Sequence, residues 1–267
     1  MNKIEGEQNQ IDSALPAKRR TDIARLVKQL GQITVTDMSL RFDVSLDTIR
    51  RDLDILADQG LISRTHGGAV PVESMASADS PFEQRINAQQ DAKERIGRAA
   101  AKLISSGETL IVNGGSTTVA FAASLGHLTR LTIVTNNLGL PAAIPAQALN
   151  SLYLLGGEIR SGARITLGPV GLVGTRQIIA DTAVIGMGGI TEDGCSTSHI
   201  EEATMMGAMI AAARRTIVIA DSTKFGRLGF AMVAPLDQLD VLVTDTEPPR
   251  ELKDALEAAG VRLVIAS

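Results

Sequence analysis

Two groups of residues in this chain have the types and spacing to do chemistry. The first is Ser45-Leu46-Asp47-Thr48-Ile49-Arg50-Arg51-Asp52-Leu53. A serine ahead of residues at helical spacing can cap a helix. Leu46, Ile49, Leu53 and Leu56 then fall on one stripe, Asp47, Arg51, Asp54 and Asp58 lie opposite, and Arg50 stands to one side. Arginines exposed near a helix start can donate to backbone phosphates or fork onto a guanine edge. They can equally be solvated surface, and Arg51 follows Asp47 by four residues, the spacing of an ordinary ion pair.

The second group is Asn113-Gly114-Gly115-Ser116-Thr117-Thr118, directly after the apolar run Leu110 to Val112. The glycines let the backbone turn tightly and approach a ligand. Ser116 to Thr118 present hydroxyls and N–H groups at a helix start, which suits a phosphate. The alternative is a plain capped strand-to-helix turn. The loop is no Walker A, since no Gly-Lys-Ser/Thr follows, and Gly186-Met187-Gly188-Gly189 is no dinucleotide fingerprint, since Thr191 stands where the third Gly belongs. Lys224, just beyond another apolar run, offers a compact positive charge, or is an exposed loop lysine. The three histidines are far apart and there is one cysteine, so no metal site, disulfide or cofactor is expected.

These residues need elements to position them. In residues 18–66 nine Lys/Arg and seven Asp give a dense charge pattern. Arg19 to Leu30 reads as a helix stopped by Gly31, Thr36 caps a short helix over 37–41, and Ser45 caps a third over 46–59 that ends at Gly60. Leu61 to Arg64 and Gly68 to Val70 would be the strands of a wing around Thr65-His66-Gly67. That is the layout of a winged helix-turn-helix. Beyond the linker a capping-box variant at Asp91-Ala92-Lys93-Glu94 opens a helix to about Ile104. Then strands are expected at 110–112, 131–134, 152–155, 182–185, 216–220, 241–244 and 262–265, alternating with helices. This is an α/β arrangement: a mainly parallel, Rossmann-like sheet with ligand loops at the strands' carboxyl ends.

The expected organisation is a disordered tail over 1–17, a DNA-binding domain over 18–72, a linker over 73–90 and a sensor and oligomerisation domain over 91–267. The formal net charge of −4 excludes a uniformly basic DNA-coating protein. With no Trp, one Tyr and five Phe, aromatic platforms for single strands or sugar rings are nearly excluded. The first residues lack the basic start and apolar core of a signal peptide, and no run approaches a membrane span, so a cytoplasmic protein with no membrane partner is expected.

Val44 to Leu53, with Gly60-Leu61-Ile62-Ser63-Arg64-Thr65-His66-Gly67-Gly68-Ala69, resembles the N-terminal motif of DeoR-family bacterial transcriptional regulators. The resemblance implies that the third helix enters the major groove. Ser45, Asp47, Thr48, Arg50, Arg51 and Arg64 would form the DNA face, the two arginines dividing base-edge and phosphate contacts in an order left open. The sensor domains of that family resemble ribose-phosphate and glucosamine-phosphate isomerases. Gly114 to Thr118, Thr135-Asn136-Asn137, Gly156-Gly157, Gly186 to Gly189 with Asp193-Gly194, and Asp221 to Gly226 are similar to their pocket motifs. The implied effector site comprises Asn113, Gly115, Ser116, Thr117, Thr118, Asn136, Asn137, Gly157, Gly188 and Lys224. Two positions depart from the family pattern: Asn113 replaces an acid, and Met206-Gly207 stands where a Lys is common. Thr135 to Leu138 and Thr244 to Pro249 are similar to the glycerol-3-phosphate repressor branch.

The reading is a repressor of carbohydrate or polyol metabolism genes. Its partners would be double-stranded operator DNA, a phosphorylated sugar or polyol effector, and further copies of itself as a homo-oligomer. Two rivals stand beside it. A sugar-phosphate isomerase carrying a DNA-binding appendage would need a positioned base, for which Glu192, Asp193 and Glu202 are candidates. A DNA-binding protein whose second domain only oligomerises would need no ligand. Cys195 is expected to be an inert small residue.

Overall fold

The computed structural model describes residues 16–30, 33–59, 61–65, 68–71, 82–171 and 178–267. They fall in two compact units, residues 1–77 and 78–267.

The first unit runs α1 (Pro16–Leu30), β1 (Ile33–Thr34), α2 (Val35–Phe42), α3 (Leu46–Asp58), β2 (Ile62–Thr65) and β3 (Gly68–Pro71). The strands form a small antiparallel sheet in the order β1-β3-β2. Ile23, Val27, Met38, Ile49, Leu53 and Leu56 close a dry core between the helices. The expected stripe on α3 is therefore present, except that Leu46, in the first turn, is 42% exposed. The cap of α2 is Thr34 rather than Thr36: its hydroxyl accepts from the Asp37 N–H at 3.1 Å. Pairing of Ile33 with Ala69 keeps the chain extended up to Thr34, and the helix starts at Val35, two residues before the expected Asp37. Gly31, Gly60 and the wing tip His66-Gly67 lie outside the described residues, as does the expected tail except for Pro16 and Ala17, which belong to α1.

The second unit is built on seven parallel strands: β4 (Thr109–Val112), β5 (Leu131–Thr135), β6 (Leu149–Leu154), β9 (Ala180–Gly186), β12 (Ala213–Ile219), β14 (Val241–Thr244) and β15 (Arg262–Ile265). Their order is β15-β14-β12-β9-β4-β5-β6. The chain leaves β4 toward β5 and later returns to its other side at β9, so the strand order reverses between β4 and β9. In open parallel sheets ligands bind beyond the carboxyl ends at such a reversal. Alternate residues feed the two faces. Leu110, Val112, Ile217 and Ile219 pack with one set of helices, α5 (Gln90–Ala101) and α6 (Ser116–Ala123). Ile111, Ala183, Ile185 and Val218 pack with α8 (Ile200–Ala211) and α9 (Arg250–Ala258). The central strands buried on both faces, such as β4 and β14, read as unbroken apolar runs, which is why they were visible in the sequence.

Three differences bear on function. The stretch expected as a linker carries α4 (Phe82–Asn87), whose Phe82 is buried in the second unit. Helix α5 begins at Gln90 with no side-chain cap; Gln89 enters it in the left-handed conformation at φ 53°, and Asp91 lies inside the first turn. The short connection from α4 is held instead by Lys93, whose Nζ donates to the carbonyls of Arg85 and Ala88. Finally, loops at the carboxyl edge contain small strands: a hairpin of β7 (Glu158–Arg160) and β8 (Ile165–Leu167), and a sheet of β10 (Gly189–Thr191), β11 (Gly194–Thr197) and β13 (Ala231–Ala234). The remaining helix, α7 (Leu140–Ala143), follows β5.

Candidate functional site

In the first unit, Ser45 caps α3: its hydroxyl accepts from the Thr48 N–H at 3.2 Å and lies 2.9 Å from the Thr48 hydroxyl. Both polar side chains are thus used on the cap, and what α3 offers outward is charge. Arg50 pairs with Asp47 at 2.9 Å, so the ion pair of this helix is made by Arg50 and not, as the spacing allowed, by Arg51. Arg51 is exposed with no ion-pair partner among the described residues. Asp52 is turned inward, taking Arg19 of α1 at 2.6 Å and Arg20 at 3.5 Å, and fixes α3 against α1. Arg64 lies in β2, antiparallel to Ala69.

In the second unit, the expected effector residues gather at the carboxyl ends of β4, β5 and β9, but with different states of engagement. Asn113 is buried, and its amide makes two bonds with one residue across the strand reversal: Nδ2 donates to the Gly186 carbonyl at 2.9 Å and Oδ1 accepts from the Gly186 N–H at 2.8 Å. Thr118 is fully buried and its hydroxyl lies 2.9 Å from the carbonyls of both Asn113 and Gly115. Asn137 donates to the Gly115 carbonyl at 3.1 Å and accepts from the Gly139 N–H at 2.9 Å. These three side chains shape the turn. Asn136 donates to the Thr166 carbonyl at 2.9 Å, while its buried Oδ1 has no hydrogen-bond partner. Ile165, on the hairpin, covers Gly114 so closely that an added Cβ would lie 2.0 Å from its Cγ2.

What remains available is the start of α6. The N–H groups of Ser116, Thr117 and Thr118 precede the first helical acceptor pairing, Val119 N–H to Gly115 carbonyl, and have no acceptor among the described residues. No hydrogen bond is made by the hydroxyls of Ser116 or Thr117 within the described residues either. A helix start with unsatisfied N–H groups favours an anion.

Gly188 packs with its Cα against β11, where a Cβ would meet the Ser196 carbonyl at 3.2 Å. Gly157, at φ 140°, lies in the β6–β7 connection, where a Cβ would strike the Leu167 carbonyl at 2.0 Å. Both are needed by the backbone locally. Lys224 follows β12 in a short helical turn, Ser222–Lys224, opened by Asp221.

The sequence reading missed the company Lys224 keeps. Lys93 of α5, Arg85 of α4 and Arg227 lie close enough to Lys224 for their charges to interact, and Asp221 acts on Lys93, Lys224 and Arg227. Burial pushes the Lys93 ammonium down to about 8; Asp221 opposes this, while Lys224 and Arg85 push further. Burial likewise holds Lys224 below the ordinary lysine range, again against Asp221 and with Arg227 and Arg85. Neither lysine has an acid within ion-pair distance among the described residues. Asp221 itself accepts from the Thr223 N–H and hydroxyl. The two lysines therefore carry positive charge that an anion would offset.

Lys93 and Ser116 line one groove of about 880 Å³ between α4, α5 and α6, together with Ile86, Gln90, Val119 and Ala123. Close packing of α5 on α6 makes this possible: a Cβ at Gly97 would lie 2.7 Å from the Ala120 carbonyl. The signal for Lys93 in the sequence was a lone cation on the buried stripe of α5, beside Ala92, Ile96 and Ala100.

The candidate bases of an isomerase are placed otherwise. Glu192 and Asp193 are exposed in the β10–β11 turn. Glu202 is taken by Arg160 at 2.6 Å and by the Thr197 hydroxyl at 3.1 Å. Cys195 is buried among apolar side chains and its thiol is pushed up to about 12 by that burial, which makes it unreactive. Met206 is part of the core between the sheet and α8. No group of metal-ligating residues occurs among the described residues, and no helix there is long and apolar enough to cross a membrane.

Comparison with known proteins matches residues 19–75 to the DeoR-like helix-turn-helix domain and residues 88–246 to the DeoR C-terminal sensor domain. The glycerol-3-phosphate regulon repressor of Escherichia coli (strain K12) is 34% identical over 247 residues, covering 92% of this chain and 97% of its own. The HTH-type transcriptional repressor GlcR of Bacillus subtilis (strain 168) is 32% identical over 93% of this chain and 95% of its own. Among solved structures, a D-ribose-5-phosphate isomerase in complex with phospho-erythronic acid aligns at a TM-score of 0.36 and 19% identity, over 51% of this chain and 54% of its own.

Proposed function

This chain belongs to the DeoR family of DNA-binding transcription regulators, and from that premise we propose that it is a repressor released by a phosphorylated sugar or polyol. The observation that carries the effector class is the cation cluster beside the open start of α6. Lys93, Lys224 and Arg227 each feel the charge of Asp221, and Ser116, the first residue of the open helix start, lines the same groove as Lys93. A phosphate dianion matches both: it is attracted by the charges and can accept several N–H bonds at once. Asn113, Thr118 and Asn137 hold the turn, Gly115 leads into α6, Gly188 packs against β11, and the buried Asn136 oxygen is an unused acceptor for an effector hydroxyl. Gly157 shapes the covering hairpin.

On the DNA side Arg51 is the candidate for base-edge contact, Arg50 and Asp47 flank it, Ser45 and Thr48 hold the helix start, and Arg64 contributes from the wing. One recognition helix reads few base pairs, so the protein acts as a homo-oligomer. Effector binding favours one of two conformations and thereby changes operator affinity by its differential affinity for the two.

Glycerol 3-phosphate is the first effector to test, because a relative with 34% identity is a glycerol-3-phosphate regulon repressor. The test uses an operator selected by the protein from random duplex DNA. The chain's thermal midpoint and operator occupancy are then titrated with glycerol 3-phosphate, a panel of hexose and pentose phosphates, and inorganic phosphate. A phosphate ester that raises the midpoint and releases the operator supports the reading. Interconversion of ketose and aldose phosphates in the same mixtures would replace it with the isomerase reading, and no response to any phosphate would leave a domain that only oligomerises.

A further inference from the structure

Helix α4 is the first described element after the DNA-binding unit in the chain, eleven residues beyond the end of β3. It has only six residues, too few to be stable alone, so its contacts decide its place. The following contacts tie it to elements that frame the anion crevice. Phe82 is 1% exposed, and its ring lies by Val119 on α6 and by the 137–139 turn whose Asn137 holds Gly115. The guanidinium of Arg164 stacks over that ring at 5.3 Å and pairs with Glu83 at 2.7 Å. Arg164 belongs to the hairpin whose Ile165 covers Gly114, and its carbonyl accepts from the Leu138 N–H at 2.9 Å. The other end of α4 is held by Lys93, whose Nζ donates to the carbonyls of Arg85 and Ala88.

An ammonium has three N–H donors. Two are used on the end of α4, and Lys93 lines the groove together with Ser116. We propose that Lys93 is the coupling residue of the sensor: it holds the C-terminal end of α4 and donates its remaining N–H to the effector's phosphate, so that occupancy tightens the docking of α4. This rests on the crevice being a phosphate site. Without an anion, Lys93 is a buried cation amid like charges, and its hold on α4 is weakened by every fraction of time it spends neutral. With an anion, the ammonium is fixed in charge and position, and α4 is fixed with it. The chain entering α4 comes from the DNA-binding unit, so this docking is the covalent path by which occupancy reaches it.

The experiment is hydrogen exchange on the full chain, following the peptide covering residues 82–90, with glycerol 3-phosphate and inorganic phosphate as probes. Binding of each probe is measured by calorimetry, and operator occupancy by titration. In the wild type a saturating probe should slow exchange of this peptide by roughly fivefold or more. In Lys93→Met, at probe concentrations that saturate it, exchange should stay fast and the operator should stay bound. Arg164→Gln, which removes the Glu83 pair at an exposed position, should speed exchange about threefold and shift the operator-release midpoint by a similar factor, with probe affinity falling by no more than that factor. It also serves if Lys93→Met fails to fold. Saturated Lys93→Met that protects the peptide and releases operator like the wild type overturns the coupling and leaves the phosphate site standing. So does Arg164→Gln with faster exchange but an unmoved midpoint, or with neither changed. Failure of both probes to bind the wild type, or binding unaltered in Lys224→Ala, overturns the phosphate site and the coupling with it.

Discussion

The side-chain amide of Asn113 and the backbone of Gly186 exchange two hydrogen bonds, of 2.9 and 2.8 Å, across the point where the strand order reverses. Asn113 directly follows β4 and Gly186 ends β9, so this amide ties the two halves of the sheet together at the mouth of the crevice. An amide fits because it must donate to a carbonyl and accept from an N–H at once. A carboxylate can only accept.

Asn113→Asp therefore tests whether the Gly186 carbonyl needs the amide donor. In the folded state the carboxylate would face the Gly186 carbonyl while buried, which favours its protonated form and raises its pKa above the unfolded value of about 3.9. A raised folded pKa contributes stability at low pH that is lost as pH rises through it. The variant's deficit in thermal midpoint should be small near pH 5 and full near pH 8, where a lost donor at a buried carbonyl costs about 1–3 kcal/mol. A deficit equal at both ends, or none, would show that Gly186 does not need the donor.

On the DNA face the pairing of Arg50 with Asp47 ranks the two arginines. Arg51→Ala should weaken operator binding by about 1–3 kcal/mol if its fork reads a base edge, and relax specificity at that base pair. Arg50→Ala should cost less and change mainly the salt dependence. Binding titrations at two salt concentrations decide, and equal loss in both variants with no change in specificity would move base reading elsewhere.

Asp52 is 3% exposed and holds Arg19 and Arg20 of α1. Removing one partner of a buried pair costs about 3–5 kcal/mol, enough to unfold a unit of this size. Asp52→Ala should abolish operator binding while the second unit keeps its thermal midpoint and its phosphate affinity. A variant that still binds operator normally would make this pair dispensable.

The second unit was legible where burial alone writes the sequence. Leu110 to Val112 and Val241 to Thr244 are apolar on both faces, and both strands lie where the pattern put them. The hairpin β7–β8 was not legible, because Glu158, Ile159 and Arg160 are each largely exposed or half-buried and pair only because Asn136 and Leu138 hold the other strand. Thr34 and Thr36 were equivalent as caps until Ile33 paired with Ala69. At the candidate site residue type showed where the turn lies but not which side chains are consumed in building it. Asn113 and Asn137 carry the same polar group as Asn136, and only the fold leaves the last with an open acceptor.

The cation cluster gives the effector's affinity a pH dependence. Free Lys93 titrates at about 8, lowered by burial with Lys224 and Arg85 and opposed by Asp221. A bound dianion raises that pKa, so between the free and bound values the complex holds more protons than the free protein. Affinity is then full below about pH 8 and falls as pH rises through it, approaching about tenfold per pH unit. The phosphate's own second ionisation, near 6, is complete across this range. Calorimetry from about pH 7 to 9.5 should show the fall, and Lys93→Met should flatten its onset near 8; a flat wild-type profile would remove Lys93 from the site.

Lys224 and Thr117 contribute to the same phosphate by different means, and their variants should differ accordingly. Lys224 supplies charge from the turn after β12, and losing a charge-assisted bond costs roughly 1.5–3 kcal/mol, ~10- to 150-fold in affinity. Thr117 supplies a neutral hydroxyl at the start of α6, where three backbone N–H groups would still hold the anion. Thr117→Ala should therefore shift the effector midpoint in the same direction but by about 1 kcal/mol or less. Neither residue belongs to the DNA-binding unit, so operator affinity without effector should be unchanged in both. Titration of operator occupancy with glycerol 3-phosphate separates the possibilities. Unmoved midpoints in both variants would place the phosphate elsewhere. A larger shift in Thr117→Ala than in Lys224→Ala would mean that the helix start, rather than the cation cluster, carries the recognition. Loss of effector-free operator binding in Lys224→Ala, with the melt intact, would make the lysine's charge a support of the apo conformation instead.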